Sequence, residues 1–192
     1  FYCKAICFLK VVGAVLNMRG IKGYFRFQQA SPFDLTQIDV NLTNLENKVG
    51  PYHVHLFPVS SLRPNPCSND NVGGHWNPFE LNTNDPSYPN GPGSTHDQYE
   101  VGDLSGKHMS LAGRTAYADT FTDFNLPLFG QNSIVGRSVV IHLLDGARYR
   151  WLMIKCGAVN TTKHTGGKKT IIKGINQNYT HKKEGKKQTM TE

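Results

Sequence analysis

The chain has 192 residues, 38% of them hydrophobic, with 19 Gly and 10 Pro; this suits one domain with a sizeable core, and many turns rather than long helices. Its formal charge of +7 is uneven, because residues 158–192 hold eight Lys against Glu184 and Glu192, or +6, which leaves +1 for residues 1–157. A nearly neutral globular part argues against nucleic acid as partner and reserves any attraction to an anionic surface for the Lys-rich end.

The opening "FYCKAICFLKVVGAVL" has no initiating Met and carries Lys4 and Lys10 inside its apolar run. It reads as neither a clean signal peptide nor a membrane span, so residues 1–10 are expected to be an extension and the chain a fragment of a longer product. From Val11 to Gln29, short apolar alternations broken by Gly predict two antiparallel strands joined at Gly20–Gly23, with Phe25, Phe27 and Gln29 opposite Tyr24, Arg26 and Gln28. "LTQIDVNLTNL" predicts a third strand, with Thr36, Ile38, Val40 and Leu42 on one face. "PYHVHLFPV" predicts a fourth.

Between Ser60 and Gly102 apolar periodicity fades among Pro, Asn, Asp, Gly and Ser. A connection of this length is either functional or disordered. Strand-like runs return in "KHMSLAGRTAYADTFTDFNLPL" and "SIVGRSVVIHLL". An all-β Greek-key barrel or sandwich follows as the fold class, with residues 11–157 as its domain. Residues 158–192, rich in Lys and Thr and poor in large apolar side chains, are expected to form a disordered tail.

Four cysteines, Cys3, Cys7, Cys67 and Cys156, are too few for a disulfide scaffold and lack the spacing of a zinc knuckle. Three sequons, at Asn41, Asn160 and Asn178, permit N-glycosylation and favour a secreted setting.

In "YHVHLF", His53 and His55 are two apart, so a strand places them on one side at roughly 6 to 7 Å. Alone, the pair fits a metal grip or two ordinary strand histidines equally. His75 in "GGHWNPF" follows two Gly that permit a sharp turn, and His142 ends the apolar run "SVVIH". Imidazole-only ligation by four such histidines suits Zn or Cu.

The motifs "YHVHLF", "GGHWNPF", "YEVGDLSGK" and "SIVGRSVVIH" resemble, in order and spacing, those of the copper/zinc superoxide dismutases, over about Val11 to Trp151. The resemblance implies that His53, His55, His75 and His142 bind one copper ion. It also implies a ping-pong conversion of superoxide to dioxygen and hydrogen peroxide, with His75 taking up a proton in the reduced state. Two-metal members place a zinc-binding His directly before "VGDL", where this chain has Glu100, and another eight residues after the bridging His, where it has Thr83.

Asp103 matches the remaining zinc ligand. His96, nearby in "STHDQYE", is the substitute to weigh; zinc is not expected. Glu100 instead suits the role of acceptor for the second ring nitrogen of His75, as in the copper-only members, whose animal forms include extracellular tandem repeats. Only seven residues separate His142 from Arg150, where two-metal members insert a longer loop.

By resemblance Arg150 is the guiding cation and Cys67 pairs with Cys156, but the register shifts after Trp151, since the family's Arg-x-x-Cys would place Cys at residue 153, which is Met. A non-catalytic copper-binding or structural module is the alternative reading. A His-metal hydrolase ranks last, because the chain has no HExxH spacing.

Overall fold

The computed structural model describes residues 9–18, 20–59, 68–144 and 160–161. Cys3, Cys7, Cys67, Arg150, Cys156 and the Lys-rich stretch from 162 onward lie outside the described residues. Seven strands form two sheets among the described residues. β1 (Lys10–Met18), β2 (Ile21–Gln29), β3 (Thr36–Thr43), β5 (Ala116–Asp123) and β7 (Asn160–Thr161) build the larger, in the order β5-β3-β2-β1-β7. β4 (Val49–His55) and β6 (Ser138–Leu143) build the smaller. All pairs are antiparallel.

The period-two pattern explains which faces are buried. Phe25, Phe27, Ile38, Val40 and Leu42 are buried, while Tyr24, Arg26, Asp39 and Asn41 alternate with them toward solvent. The buried face packs on Tyr52, Val54, Val139 and Ile141 of the smaller sheet. Phe25 and Tyr52, with ring centroids 5.6 Å apart, join the two layers.

β3 pairs with β5 rather than with β4, so the chain leaves the large sheet for β4 and returns to it later. That crossing gives the Greek-key arrangement the sequence predicts.

Three elements differ from the sequence reading. The first strand begins at Lys10, whose ammonium donates to Leu128 O at 2.8 Å and lies over the Phe129 ring, so the charge is satisfied at the sheet margin. Lys107 and His108, read as the start of a strand, end a short helix, α2 (Leu104–His108), because the Asp103 carboxylate caps it by accepting from Gly106 N at 2.7 Å. Within the stretch expected to be a structureless tail, Asn160 and Thr161 form β7 opposite Gly13 and Val12. Another short helix, α1 (Asn69–Val72), precedes the Gly73-Gly74 turn.

Candidate metal centre

The strand alternation that sends Tyr52 and Val54 into the core sends His53 and His55 to the opposite face of β4. His53 lies across from Val140 on β6, and His142, two residues on from Val140, shares that face. Val140 packs with Val72 and Val59, an apolar patch beside the histidines.

His75 reaches the cluster because residues 72–76 run along the free edge of β4: Phe57 N donates to Val72 O, Leu56 N to Gly74 O and Trp76 N to Val54 O, at 2.7 to 3.0 Å. Gly73, at φ +74°, makes the turn that permits this approach. Gly102 closes the same edge, donating to Trp76 O and accepting from Val54 N, both at 2.8 Å. A side chain there would collide with Val54 O, so glycine lets the Glu100–Asp103 segment approach the strand.

The four rings converge. His53 and His75 stack at 3.9 Å between centroids, His53 and His142 meet edge-on at 5.0 Å, and one nitrogen from each of the four lies within 4.8 Å of the others. No carboxylate oxygen belongs to this group. His55 Nδ1 lies 2.9 Å from Gly73 O, a bond in which the ring nitrogen donates, and this turns Nε2 inward to 3.3 Å from His142 Nε2. His75 Nδ1 lies 2.7 Å from Glu100 Oε2, which leaves its Nε2 for the cluster.

His53 Nε2 faces Asp103 Oδ1 at 3.5 Å, and its buried Nδ1 has no hydrogen-bond partner among the described residues. A buried ring nitrogen without a partner is costly unless something accepts its lone pair. Burial, with smaller contributions from the neighbouring imidazoles, lowers His55 to about 4 and His142 to about 3, and lowers His53 as well. These three rings are therefore neutral near pH 7, as metal ligation requires. The donor set fits a nitrogen-preferring cation such as copper or zinc.

The two carboxylates are buried beside the rings. Burial raises the Asp103 carboxyl, but hydrogen bonds from His53, Gly106 N and Tyr88 outweigh it and bring it down to about 2. Tyr88, which the sequence reading did not single out, donates to Asp103 Oδ2 at 2.8 Å; burial pushes its hydroxyl up, so it stays protonated.

Thr83 is exposed in its loop. His96, weighed as a substitute zinc ligand, sits elsewhere: its Nδ1 is 3.1 Å from Asp123 Oδ1, while His108 Nε2 and Lys107 Nζ approach Asp123 Oδ2 at 3.0 and 2.6 Å. His96, His108 and Asp123 also have metal-ligand spacing. Their carboxylate is already neutralised by a fully buried ammonium and receives Asn125 N at 2.8 Å as well, so a cation there would face Lys107.

Comparison with known proteins assigns the chain. The family model for copper/zinc superoxide dismutase matches residues 21–168. The chain belongs to the copper/zinc superoxide dismutase family. A copper-dependent superoxide dismutase activity comes with that membership.

Among its relatives in this family, a superoxide dismutase [Cu-Zn] of Kluyveromyces lactis is 32% identical over 136 residues, which cover 69% of this chain and 78% of the relative. The cell surface Cu-only superoxide dismutase 5 of Candida albicans is 32% identical over 133 residues, covering 67% of this chain and 52% of the relative. A solved structure of Candida albicans superoxide dismutase 5, Cu(II), aligns at TM-score 0.64 and 25% identity, over 82% of this chain and 95% of that one. The family match extends past Trp151, where the motif register shifts.

Proposed function

We propose that the chain is a copper-only superoxide dismutase in which His53, His55, His75 and His142 hold one copper ion and no zinc is bound. The observation that carries this reading is the Glu100 carboxylate, 2.7 Å from His75 Nδ1. Where the two-metal members place zinc on this nitrogen, Glu100 accepts its proton, orients the ring and raises the basicity of Nε2. Asp103 does the same for His53 through Nε2, which leaves Nδ1 as the ligand atom.

Bound copper supplies one-electron chemistry, oxidising one superoxide to dioxygen and reducing a second, with two protons, to hydrogen peroxide. His75 keeps 33% of its side chain exposed, against 12% for His53, so it is the ring suited to exchange a proton with water while Glu100 holds it by Nδ1. Arg150 is proposed as the cation that attracts the substrate anion, and Cys67 and Cys156 as a bridge.

An extracellular site of action is supported by the cell-surface relative and by the sequon residue Asn41, whose side chain faces solvent on β3. The domain is proposed as a unit of a longer extracellular chain, with residues 158–192 as a basic arm for anionic surfaces.

The test is metal analysis, Cu(II) EPR and superoxide turnover on the purified full chain. One copper per chain, no stoichiometric zinc and rapid turnover are expected. Stoichiometric zinc without a Cu(II) signal overturns the reading, and copper without turnover replaces it with a copper-binding module.

A further inference from the structure

The buried carboxylates that hold His53 and His75 meet at one hydroxyl. Tyr88 donates its single proton to Asp103 Oδ2 at 2.8 Å, and its hydroxyl oxygen accepts the Glu100 backbone N–H at 3.1 Å. Asp103 Oδ1 is engaged separately by Gly106 N at 2.7 Å and by His53 Nε2 at 3.5 Å. Glu100 Oε2 reaches His75 Nδ1 at 2.7 Å. Tyr88 thus lies on a continuous path from one copper-ligand candidate to the other: His53, Asp103, Tyr88, the Glu100 backbone, the Glu100 carboxylate, His75.

Its own loop holds it in place. Tyr88 N donates to Asp85 O at 2.9 Å, the Asp85 carboxylate accepts from Ser87 N and Oγ, Pro86 and Pro89 restrict the backbone on either side, and the ring packs edge-on against Tyr99 at 6.1 Å.

We propose that Tyr88 is a positioning residue for the copper centre, its hydroxyl fixing the Asp103 carboxylate and the Glu100 backbone relative to each other and so setting the orientation of the His53 and His75 rings together. This rests on the copper-ligand reading above. Removing the hydroxyl leaves Asp103 Oδ2 without that donor and the buried Glu100 N–H without that acceptor. Both carboxylates then gain freedom at once, and the rings they hold gain it with them. Partners of this kind, one bond removed from the ligands, change metal affinity by about 10- to 100-fold.

The test compares wild type with Tyr88→Phe and Tyr99→Phe in the full chain. Tyr99 is a suitable control because its hydroxyl ties the same loop, donating to Gly91 O at 2.7 Å and accepting Ser94 N at 3.2 Å, without touching either carboxylate. In metal-free protein, long-range proton–nitrogen NMR is expected to find one tautomer for each ring in wild type and Tyr99→Phe, Nε2–H on His53 and Nδ1–H on His75. Tyr88→Phe is expected to give a tautomer mixture at His53. In copper-loaded protein, Tyr88→Phe is expected to alter the Cu(II) EPR hyperfine splitting and weaken copper about tenfold, while Tyr99→Phe lowers thermal stability with the spectrum unchanged.

Wild-type tautomers and an unchanged spectrum in Tyr88→Phe overturn the proposal. So do equal changes in both variants, which identify a general loosening of the loop. If wild type itself binds no copper, the ligand reading fails, and the metal-free NMR comparison still decides the role of Tyr88.

Discussion

Two groups of histidines lie in this domain, and the same side chain meets opposite conditions in them. His53, His55, His75 and His142 gather with no carboxylate among their converging nitrogens, and burial keeps three of them neutral. His96 and His108 surround Asp123, which a buried Lys107 ammonium already neutralises. The first group has lone pairs aimed at a common point and, at His53 Nδ1, an unmet bonding demand. The second has its demands met by its own members. Histidine clustering alone therefore does not separate a metal centre from an ionic clamp; the charge balance at the cluster does.

The contrast is broken most severely by His53→Ala, which removes a ring from the first group. Copper content is expected to fall to background with turnover, while the metal-free protein keeps its fold, as metal analysis and circular dichroism would check. Asp123→Ala attacks the second group and leaves Lys107 buried without its carboxylate. A loss of about 3 to 5 kcal/mol in urea unfolding is expected, with the Cu(II) EPR spectrum of the folded fraction unchanged.

Next in size is Glu100→Ala, which frees the His75 ring. A 10- to 100-fold loss of copper affinity in competition titration is expected, with Glu100→Gln, which still offers an acceptor oxygen, retaining more.

Acid separates the groups without mutation. The His55 and His142 rings, lowered from 6.5 to about 4 and about 3, bind more protons when unfolded, so the stability they contribute is full above pH 6.5 and declines as pH falls toward 4 and 3. Copper affinity falls lower on the pH scale, toward 4 and 3, where protons begin to compete for those nitrogens in the folded protein.

The Asp123 carboxyl behaves differently. Burial would raise it, but His108, His96 and Lys107 hold it well below the usual carboxylate range, so its contribution persists through that interval and is lost only in stronger acid. Metal-free unfolding curves between pH 7 and 3 would check this; a flat profile from 6.5 to 4 would contradict the assigned protonation. The smallest effect belongs to His96→Ala, which removes one partly exposed donor from Asp123. A loss of about 1 kcal/mol is expected in urea unfolding, with no change in copper content.

Much of this contrast was legible in the chain before folding. Alternation in "YFRFQQ" and "TQIDVNLT" identified the buried faces of β2 and β3, because a half-buried strand writes its environment with period two. The pair His53 and His55, the two Gly before His75, and Glu100 before "VGDL" marked the first cluster because the motifs that carry them resemble those of the family. The second cluster carried no such mark. His96, His108 and Asp123 come from the start of a short 3-10 helix, the end of α2 and the end of β5, and no local period relates them.

Tyr88 was equally silent, one aromatic in a Pro- and Asn-rich loop, given its role by hydrogen bonds to residues 12 and 15 positions away. By itself, the sequence determined the strand faces, which depend on neighbours along the chain, and its resemblance to a known family implied the four histidines and their carboxylate partner. The tertiary structure decided which histidines converge, which are neutralised, and which hydroxyl joins the two carboxylates, because those depend on backbone bonds made by Gly73 and Gly102 along an edge of β4.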